Sequence, residues 1–380
     1  MRVLMVSDVY FPRINGVSTS IETFRDAFAG LGIASRLVAP AYDGETTHKD
    51  IIRVPARKVW GDPEDRLAHY GKLRRATLDA AADCDLVHIQ TPFAAHYASL
   101  HAARTLGKPV LATYHTLFEE YLQHYIPWLP AAGLRGLARR FSRSQCNALD
   151  AVIVPSSAME QRLRVYGVSR PLHVLPTGLP QAAFTPGDGA AFRREQGIAP
   201  DRPVVLFVGR VAHEKNIGPL LEAVALARRQ RPDLLFLITG EGPAREDLER
   251  QALRLVGKDS VRFLGYLDRR QALPNAYAAA DCFVFASRTE TQGLVLLEAM
   301  AQRCPVVGLS AMGTADILGP RRGCRIAPDD AAGFAAVLLD TLADPAALLR
   351  LGEEARAYAR EWSDTAMARR LAEVYRGLMA

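Results

Sequence analysis

The chain has 380 residues, which indicates about two domains, because a typical domain takes ~100–200 residues. Its composition of 49% hydrophobic and 23% charged residues excludes the disordered, collagen-like and coiled-coil classes. The 47 Lys and Arg residues exceed the 41 Asp and Glu residues by 6. This excess suits anionic small substrates or an anionic membrane surface, and it is too diffuse to indicate nucleic acid.

No apolar run approaches the ~18–20 residues that cross a bilayer, and residues 1–8 read as a β-strand rather than a secretory signal. We therefore expect a cytoplasmic protein. The cysteines are widely scattered and lack CxxC spacing, which favours buried free thiols over a disulfide framework or a zinc site. They are Cys84, Cys146, Cys282, Cys304 and Cys324.

Short apolar runs alternate with amphipathic stretches along the chain, a pattern typical of βαβ units around parallel sheets. Strands in the first half are predicted at 2–7, 35–39, 86–90, 109–113, 151–154 and 172–175. Between the first two, a turn at 15–18 leads into a helix with apolar side chains at helical spacing, which ends at Gly32. This segment is one complete β–loop–α unit.

A second series of predicted strands follows a segment rich in proline and glycine. These strands lie at 204–209, 234–239, 261–264, 282–285, 305–308 and 324–326. The predicted domain boundaries are 1–180 for the first domain, 181–203 for a linker, 204–361 for the second domain and 362–380 for a C-terminal helix. That helix carries an apolar stripe that needs a partner surface, formed by Ala366, Leu371, Val374, Tyr375 and Leu378.

The loop after strand 204–209 holds two cations, Arg210 and Lys215. An arginine offers a planar fork of donors and a lysine a point charge, so the pair is suited to clamp a diphosphate. The alternative is an ordinary solvated basic loop. The position after a buried strand, beside Gly209, favours the functional interpretation.

A second polar segment follows strand 282–285 and leads into an apolar helix that starts near Gly293. The first amides of that helix and the close approach that glycine permits suit a phosphate group. Glu298 lies among leucines and alanines, where an unpaired carboxylate is costly, so we expect it to have a hydrogen-bonding partner such as a ribose diol. The alternative is a polar stripe with Gln302 that faces solvent. Glu290, just before the helix, is placed to accept a hydrogen bond from a sugar hydroxyl.

Arg210 and Lys215, followed by Glu290 and Glu298 with seven residues between them, resemble the donor site of the retaining GT-B glycosyltransferases of family GT4. The resemblance covers essentially the whole chain, from the loop at 11–17 to the C-terminal helix. It implies an α/β fold of two Rossmann-like domains that face each other across a cleft, with the C-terminal helix crossing back to the first domain. It also implies that the two cations neutralise the donor diphosphate, that Glu298 holds the nucleotide ribose and that Glu290 holds the donor sugar.

The same resemblance assigns His115, which follows strand 109–113, to the reaction centre of the donor sugar, although a histidine at a strand end is structural about as often as catalytic. The catalytic set it implies is His115, Glu290, Arg210 and Lys215. The further donor-binding residues are Gly16, Gly240, Tyr266, Thr291, Gln292, Gly293 and Leu294. Asp83 and Asp85 form a DxD string, but they precede strand 86–90 and so lie at the wrong end of the sheet for a metal site. We expect no metal and no cofactor besides the nucleotide sugar.

Two segments bear on the acceptor. An aromatic stretch with Tyr121 and Trp128 precedes a basic amphipathic stretch with Arg135, Arg139, Arg140 and Arg143. Aromatic and cationic side chains together suit contact with an anionic membrane surface, and the alternative is a solvated helix face beside a packed loop. The pattern at 115–121 and 290–293 resembles the glycolipid-synthesising branch of the family, such as the diacylglycerol glucosyltransferases.

The sequence thus predicts a metal-independent retaining transferase that moves a hexose, glucose or mannose, from a UDP- or GDP-hexose to an acceptor hydroxyl. A membrane lipid is the expected acceptor, and the inner face of the cell membrane is the expected location. Three alternatives stay open: a polysaccharide or soluble acceptor, a nucleotide-sugar epimerase of the same architecture, and a sugar-binding protein without enzymatic activity.

Overall fold

The computed structural model describes residues 1–43, 49–59, 62–115, 131–257 and 259–380. They form two compact units, each with its own hydrophobic core. The first unit comprises Met1–Gly178 together with Asp364–Ala380, and the second comprises Leu179–Ser363.

The first unit alternates strands and helices, as the periodicity predicts. In chain order its elements are β1 (Arg2–Val6), α1 (Gly16–Ala29), β2 (Ala34–Pro40), β3 (Ile51–Val54), β4 (Ala56–Val59), β5 (Asp62–Ala68), α2 (Tyr70–Ala82), β6 (Leu86–Ile89), α3 (Ala94–Leu106), β7 (Val110–Thr113), α4 (Ala131–Asn147), β8 (Ala151–Val154), α5 (Ser157–Val165) and β9 (Leu172–Val174). The main sheet is parallel, in the order β3-β2-β1-β6-β7-β8-β9. Because β1 lies between β2 and β6, the direction of winding reverses between β1 and β6, and the loops after these two strands lie at that switch point.

Strands β3 to β5 are absent from the sequence-based prediction. Strands β4 and β5 pair as an antiparallel hairpin apart from the main sheet, and β4 is largely exposed. This segment contains charged residues and lies near Pro55 and Pro63, so it has no apolar run that would predict a strand. Proline and charged residues are rare in buried strands.

The second unit repeats the alternation around its own parallel sheet. Its elements are a short 3₁₀ turn (Gln181–Phe184), α6 (Gly189–Glu195), β10 (Val204–Val208), a second 3₁₀ turn (His213–Lys215), α7 (Ile217–Arg228), β11 (Leu235–Thr239), α8 (Arg245–Val256), β12 (Val261–Gly265), α9 (Ala272–Ala279), β13 (Cys282–Phe285), α10 (Leu294–Ala301), β14 (Val306–Gly308), α11 (Thr314–Leu318), β15 (Cys324–Ile326), α12 (Ala331–Ala343) and α13 (Pro345–Arg360). The strand order is β12-β11-β10-β13-β14-β15. Strands β10, β11 and β13 are buried along their whole length, which is why each reads as a continuous apolar run.

Residues 181–203, expected to form a linker, belong to the second unit and contain helix α6. Gln302 fastens this segment to α10: its Oε1 accepts from the Gly187 amide at 2.9 Å, and its Nε2 donates to the carbonyl oxygens of Ala183 and Thr185 at 2.6 and 2.8 Å. A proline-rich and glycine-rich segment is therefore ordered here by side-chain hydrogen bonds from a distant helix, which its local composition does not reveal.

The last helix, α14 (Asp364–Met379), supplies its apolar stripe to the core of the first unit. Leu371 and Tyr375 are fully buried there, and Ala366, Val374 and Leu378 pack against the same core. The partner surface that the stripe requires is thus the first unit, where the ring of Phe28 on α1 lies 5.8 Å from the ring of Tyr375.

All five cysteines are buried and unpaired, as expected from their spacing. Among the described residues, no single helix has both the length and the apolar content to cross a membrane. Helices α12 and α13 have them only when taken together, and they meet at 100°.

Candidate active site

Strand order brings two predicted site residues together in the second unit. Strand β10 lies between β11 and β13, so the loops after β10 and β13 meet where the direction of winding reverses. Lys215 from the first loop forms an ion pair with Glu290 from the second, Nζ to Oε1. Their side chains are 23% and 17% exposed, so the pair is partly withdrawn from solvent. Such crevices are where parallel α/β sheets bind ligands.

Asn216 holds these two loops in place, a role that the sequence analysis missed. It adopts a left-handed conformation with φ 57°, and its Nδ2 donates to the carbonyl oxygen of Ala286 at 3.0 Å. Asparagine tolerates this conformation better than most residues, so an Asn just before a helix was the available signal. The contact fixes Lys215, the preceding residue, relative to the loop that carries Glu290.

Arg210 is placed differently from Lys215. Its side chain is 59% exposed, and its guanidinium lies 3.7 Å from the carboxylate of Glu214, four residues later. Within the described part of the chain, no ion pair joins Arg210 to Glu290. The structure therefore unites Lys215 with Glu290 and leaves Arg210 on the rim of the same loop.

The loop from Glu290 to Gly293 is shaped by the turn that precedes α11. The amide of Gly313 donates to the carbonyl oxygen of Glu290 at 2.8 Å, and a Cβ at Gly313 would overlap the backbone of Thr291. Gly293 has φ 87°, which favours glycine, and it directly precedes Leu294 at the start of α10. The amide of Leu296 donates to the carbonyl oxygen of Gly293 at 3.0 Å, whereas the amides of Leu294 and Val295, as the first of the helix, have no partner within it. Thr291 and Gln292 are half-buried between these fixed points.

Glu298 on α10 receives its hydrogen bonds from the protein. The hydroxyl of Tyr277 donates to Oε2 at 3.0 Å, and the guanidinium of Arg269 donates to Oε1 at 2.5 Å. The nearby carboxylate raises the pKa of Arg269, and burial together with the same carboxylate raises the pKa of Tyr277. The interpretation of Glu298 and Gln302 as a solvent-facing stripe is wrong, because Gln302 is only 8% exposed and bonds to 183–187.

Sequence reasoning missed Arg269 and Tyr277, since they lie more than twenty residues before their partner. Tyr266 lies near enough to Arg269 to make a small contribution to its raised pKa. Tyr266 follows β12 and is 66% exposed. A carboxylate, a guanidinium and an exposed aromatic ring thus line one part of the carboxyl edge of this sheet.

Gly240, predicted to line the nucleotide-sugar pocket, has a structural requirement of its own. Its φ is 123°, and a Cβ there would overlap the carbonyl oxygen of Gly209. Its amide donates to the carbonyl oxygen of Gly265 at 2.8 Å. Glycine is therefore needed for the close packing of the loops after β10, β11 and β12.

The first unit holds Gly16 and His115, which follow different strands. Gly16 opens α1 and has open space where a side chain would be, and Asn15 caps the helix by accepting from the Ser18 amide at 2.8 Å. His115 follows β7, and its Nε2 lies 3.1 Å from Oε1 of Gln90. Burial lowers the pKa of His115 to about 4, so the ring is neutral near pH 7.

The predicted acceptor and membrane residues are only partly described. Tyr121, Trp128 and the side chain of Arg135 lie outside the described residues. The other three arginines, Arg139, Arg140 and Arg143, are exposed on α4. The guanidinium carbon of Arg139 lies 5.6 Å from the centre of the Tyr166 ring.

The DxD string occupies the amino-terminal edge of the first sheet. Asp83 lies 3.3 Å from the guanidinium of Arg36, and Asp85 accepts from the Arg2 amide at 2.7 Å. In the described ranges, no three His, Cys, Asp or Glu side chains form a group that could hold a metal ion.

Comparison with known proteins agrees with this architecture. Residues 14–183 match the model of Glycosyltransferase Family 4, and residues 188–358 match that of Glycosyl transferases group 1. The chain is 32% identical over 317 residues to the alpha-monoglucosyldiacylglycerol synthase of Streptococcus pneumoniae, covering 81% of this chain and 70% of that protein. It is 31% identical over 381 residues to a GDP-mannose-dependent alpha-mannosyltransferase of Mycolicibacterium smegmatis, covering 94% and 90%.

The chain belongs to glycosyltransferase family 4. Its fold is similar to that of the Anabaena protein HepE, solved in complex with UDP, with a TM-score of 0.79 at 18% identity over 99% of this chain and 100% of the other. The expectations of a GT-B fold with two parallel-sheet domains and of glycosyltransferase activity are confirmed.

Proposed function

We propose that this glycosyltransferase is a retaining, metal-independent hexosyltransferase that moves glucose or mannose from a UDP- or GDP-hexose to a hydroxyl of a membrane lipid. The observation that carries the proposal is the Lys215–Glu290 pair beside the first turn of α10. The related monoglucosyldiacylglycerol synthase supports a lipid acceptor and glucose, and the related GDP-mannose-dependent mannosyltransferase supports mannose as the other candidate sugar.

The donor diphosphate is proposed to lie between Lys215 and the free amides of α10. An ammonium group has three donors, so Lys215 can bond to Glu290 and to phosphate oxygens at the same time. Arg210, exposed on the same loop, supplies a second cation. The Glu290 oxygen that Lys215 leaves free accepts from a sugar hydroxyl.

The nucleoside is proposed to lie against Glu298 and Tyr266. Tyr277 is buried and holds one oxygen of Glu298, whereas Arg269 reaches the other from a side chain that is 47% exposed. A ribose diol that donates to Glu298 therefore competes with or joins Arg269 rather than Tyr277. The exposed ring of Tyr266 offers a face on which the base can stack.

Retention of configuration is proposed to follow from charge stabilisation rather than from a covalent intermediate. As the bond to the diphosphate breaks, negative charge grows on the leaving group, where the two cations and the helix amides are already placed. The departing phosphate then takes the proton of the acceptor hydroxyl on the same face of the sugar. These groups also supply the neutralisation that a divalent ion provides in other transferases. His115 and Glu290 orient the sugar.

A panel of UDP- and GDP-hexoses, each incubated with diacylglycerol in vesicles or with soluble sugars, tests this proposal. One donor is expected to give an α-linked glycolipid, identified by the anomeric coupling in NMR, with full activity in excess chelator. Release of an epimerised sugar without an acceptor would indicate the epimerase alternative. Transfer only to soluble sugars would overturn the lipid acceptor, and activity that returns only with Mg²⁺ or Mn²⁺ would overturn metal independence.

A further inference from the structure

Gln90 stands beside His115 at the carboxyl edge of the first sheet. It directly follows β6 and is 3% exposed, and its backbone amide donates to the carbonyl oxygen of Val6 at 2.9 Å. Its side-chain Oε1 lies 3.1 Å from Nε2 of His115. Strands β6 and β7 are neighbours in the sheet, so this contact joins two adjacent strand ends.

The contact with Gln90 determines which nitrogen of the His115 imidazole carries the proton. An amide oxygen can only accept, so Nε2 of His115 carries the proton and Nδ1 is left as an acceptor. The low pKa of His115, about 4, agrees with a neutral ring. Gln90 therefore fixes both the tautomer and the orientation of the histidine.

The nitrogen of the Gln90 side-chain amide makes no hydrogen bond to the described residues. Nε2 of Gln90 is buried and has no hydrogen-bond partner among the residues that the structure describes, although most buried side-chain amides have one. Leaving such a donor unpaired is costly, and an oxygen from a bound molecule would remove that cost. Sugar hydroxyls and ring oxygens are acceptors of this kind.

The surrounding loop is rigid enough to aim this donor. The next residue, Thr91, accepts from the Asp8 amide at 2.7 Å and donates to the Asp8 carboxylate at 2.8 Å. That carboxylate also accepts from the Ala95 amide at 3.0 Å, at the start of α3. The loops after β1 and β6 are thereby tied together at the point where the direction of winding reverses.

We propose that Gln90 is a substrate-binding residue: its Oε1 orients His115, and its Nε2 donates to an oxygen of the hexose. This inference rests on the proposed function, which places His115 at the donor sugar. It adds a residue that neither the motifs nor the spacing of charges in the sequence singles out.

Three variants test it. Gln90→Leu removes both hydrogen bonds and is expected to lower kcat/KM on the order of tenfold or more in protein that is shown to be folded by its melting transition. His115→Ala keeps Gln90, and the double variant is expected to be slower than His115→Ala alone, because Nε2 contacts the sugar independently. Equal rates for the double variant and His115→Ala would overturn the sugar contact. Thr77→Val is the matched control, since Thr77 Oγ1 on α2 is also buried and also has no partner among the described residues.

Gln90→Glu tests the tautomer through a readout that a purely structural role would not move. A carboxylate beside the ring favours the imidazolium, so the pKa of His115 is expected to rise, and the acid limb of kcat/KM to move to higher pH. His88 on β6, which interacts electrostatically with His115, stays the same in this variant. An acid limb that does not move would overturn the proposal.

Long-range ¹H–¹⁵N NMR of the imidazoles separates this inference from the proposed function, because it needs no activity. With His115→Asn for assignment, the His115 ring is expected to be neutral with its proton on Nε2, and to titrate at higher pH in Gln90→Glu. A ring protonated on Nδ1 would contradict the role of Gln90 even if transfer activity is found. The expected tautomer with no transfer from any nucleotide hexose would instead contradict the proposed function.

Discussion

Nδ1 of His88 lies 2.7 Å from the hydroxyl of Tyr375, and its Nε2 lies 2.7 Å from Oγ1 of Thr113. The first contact spans 287 residues and joins β6, inside the first sheet, to α14 at the end of the chain. Both residues are essentially inaccessible to solvent. Because α14 follows the second unit in sequence, this hydrogen bond anchors the returning chain to the first unit.

Tyr375→Phe tests that anchor. The change keeps the ring but leaves Nδ1 of His88 buried without a partner, which is expected to lower the free energy of unfolding by ~1–3 kcal/mol. Urea unfolding of the first unit measures the loss. Tyr97→Phe is the control, because Tyr97 is 48% exposed on α3 and is expected to change little. Equal stability of Tyr375→Phe and the wild type would contradict the role assigned to this hydrogen bond.

Acid should destabilise the protein through its buried histidines. Burial lowers the pKa of His88 to about 3 and that of His115 to about 4, whereas an unfolded histidine titrates near ~6.5. Between these values the unfolded chain binds more protons than the folded one, so the free energy of unfolding is expected to fall as pH drops from ~6.5 toward 4. His88→Gln should flatten this dependence when denaturation is measured at several pH values, and His69→Gln, an exposed position, should not. A slope identical in His88→Gln and wild type would rule out His88 as its source.

Lys215→Ala is expected to lower kcat by ~10²-fold or more, since a charge-assisted contact to a leaving group stabilises the transition state by about 2–4 kcal/mol. Arg210→Ala should cost less, because the arginine is more exposed. Steady-state kinetics at saturating donor measure both. Arg229→Ala, on the surface just after α7, is the control for lost positive charge. Near-normal turnover in both Lys215→Ala and Arg210→Ala would refute the diphosphate clamp.

Glu298→Gln should weaken binding of the free nucleotide by about tenfold, because a carboxamide loses the charge that strengthens hydrogen bonds from a ribose diol. Calorimetric titration with UDP and with GDP measures the affinity without requiring turnover. Glu246→Gln on the exposed surface of α8 is the matched control. Unchanged affinity for both nucleotides would remove Glu298 from the ribose site.

Charge reversal at Arg139 and Arg140 tests the membrane surface. Each basic residue near an anionic bilayer contributes ~1 kcal/mol of binding at low ionic strength, so the double Glu variant should cosediment less with anionic vesicles and transfer less to a lipid acceptor. Donor hydrolysis should stay intact, since the proposed diphosphate site lies in the second unit. Equal binding of the wild type to neutral and anionic vesicles would instead indicate that α4 is an ordinary solvated helix.

Much of the fold was readable from local sequence. Buried parallel strands are short apolar runs, and amphipathic helices keep a 3.6-residue period, so the two α/β series and the stripe of α14 could be predicted without a partner in view. The residues at Lys215, Glu290 and Glu298 stood out for a related reason. Polar groups directly after a buried strand, or within an apolar helix, break a local pattern.

The tertiary structure decided which of these residues meet. Strand order places β10 beside β13, so Lys215 contacts Glu290, which lies 75 residues away. The protein partners of Glu298, the docking of 183–187 by Gln302 and the pairing of Gln90 with His115 depend on the same long-range arrangement. Periodicity reports which face of an element is buried, because burial repeats with the geometry of one helix or strand. Periodicity carries no information about which distant side chain completes a hydrogen bond. The tertiary structure decides these partners, and with them the chemistry of the candidate site.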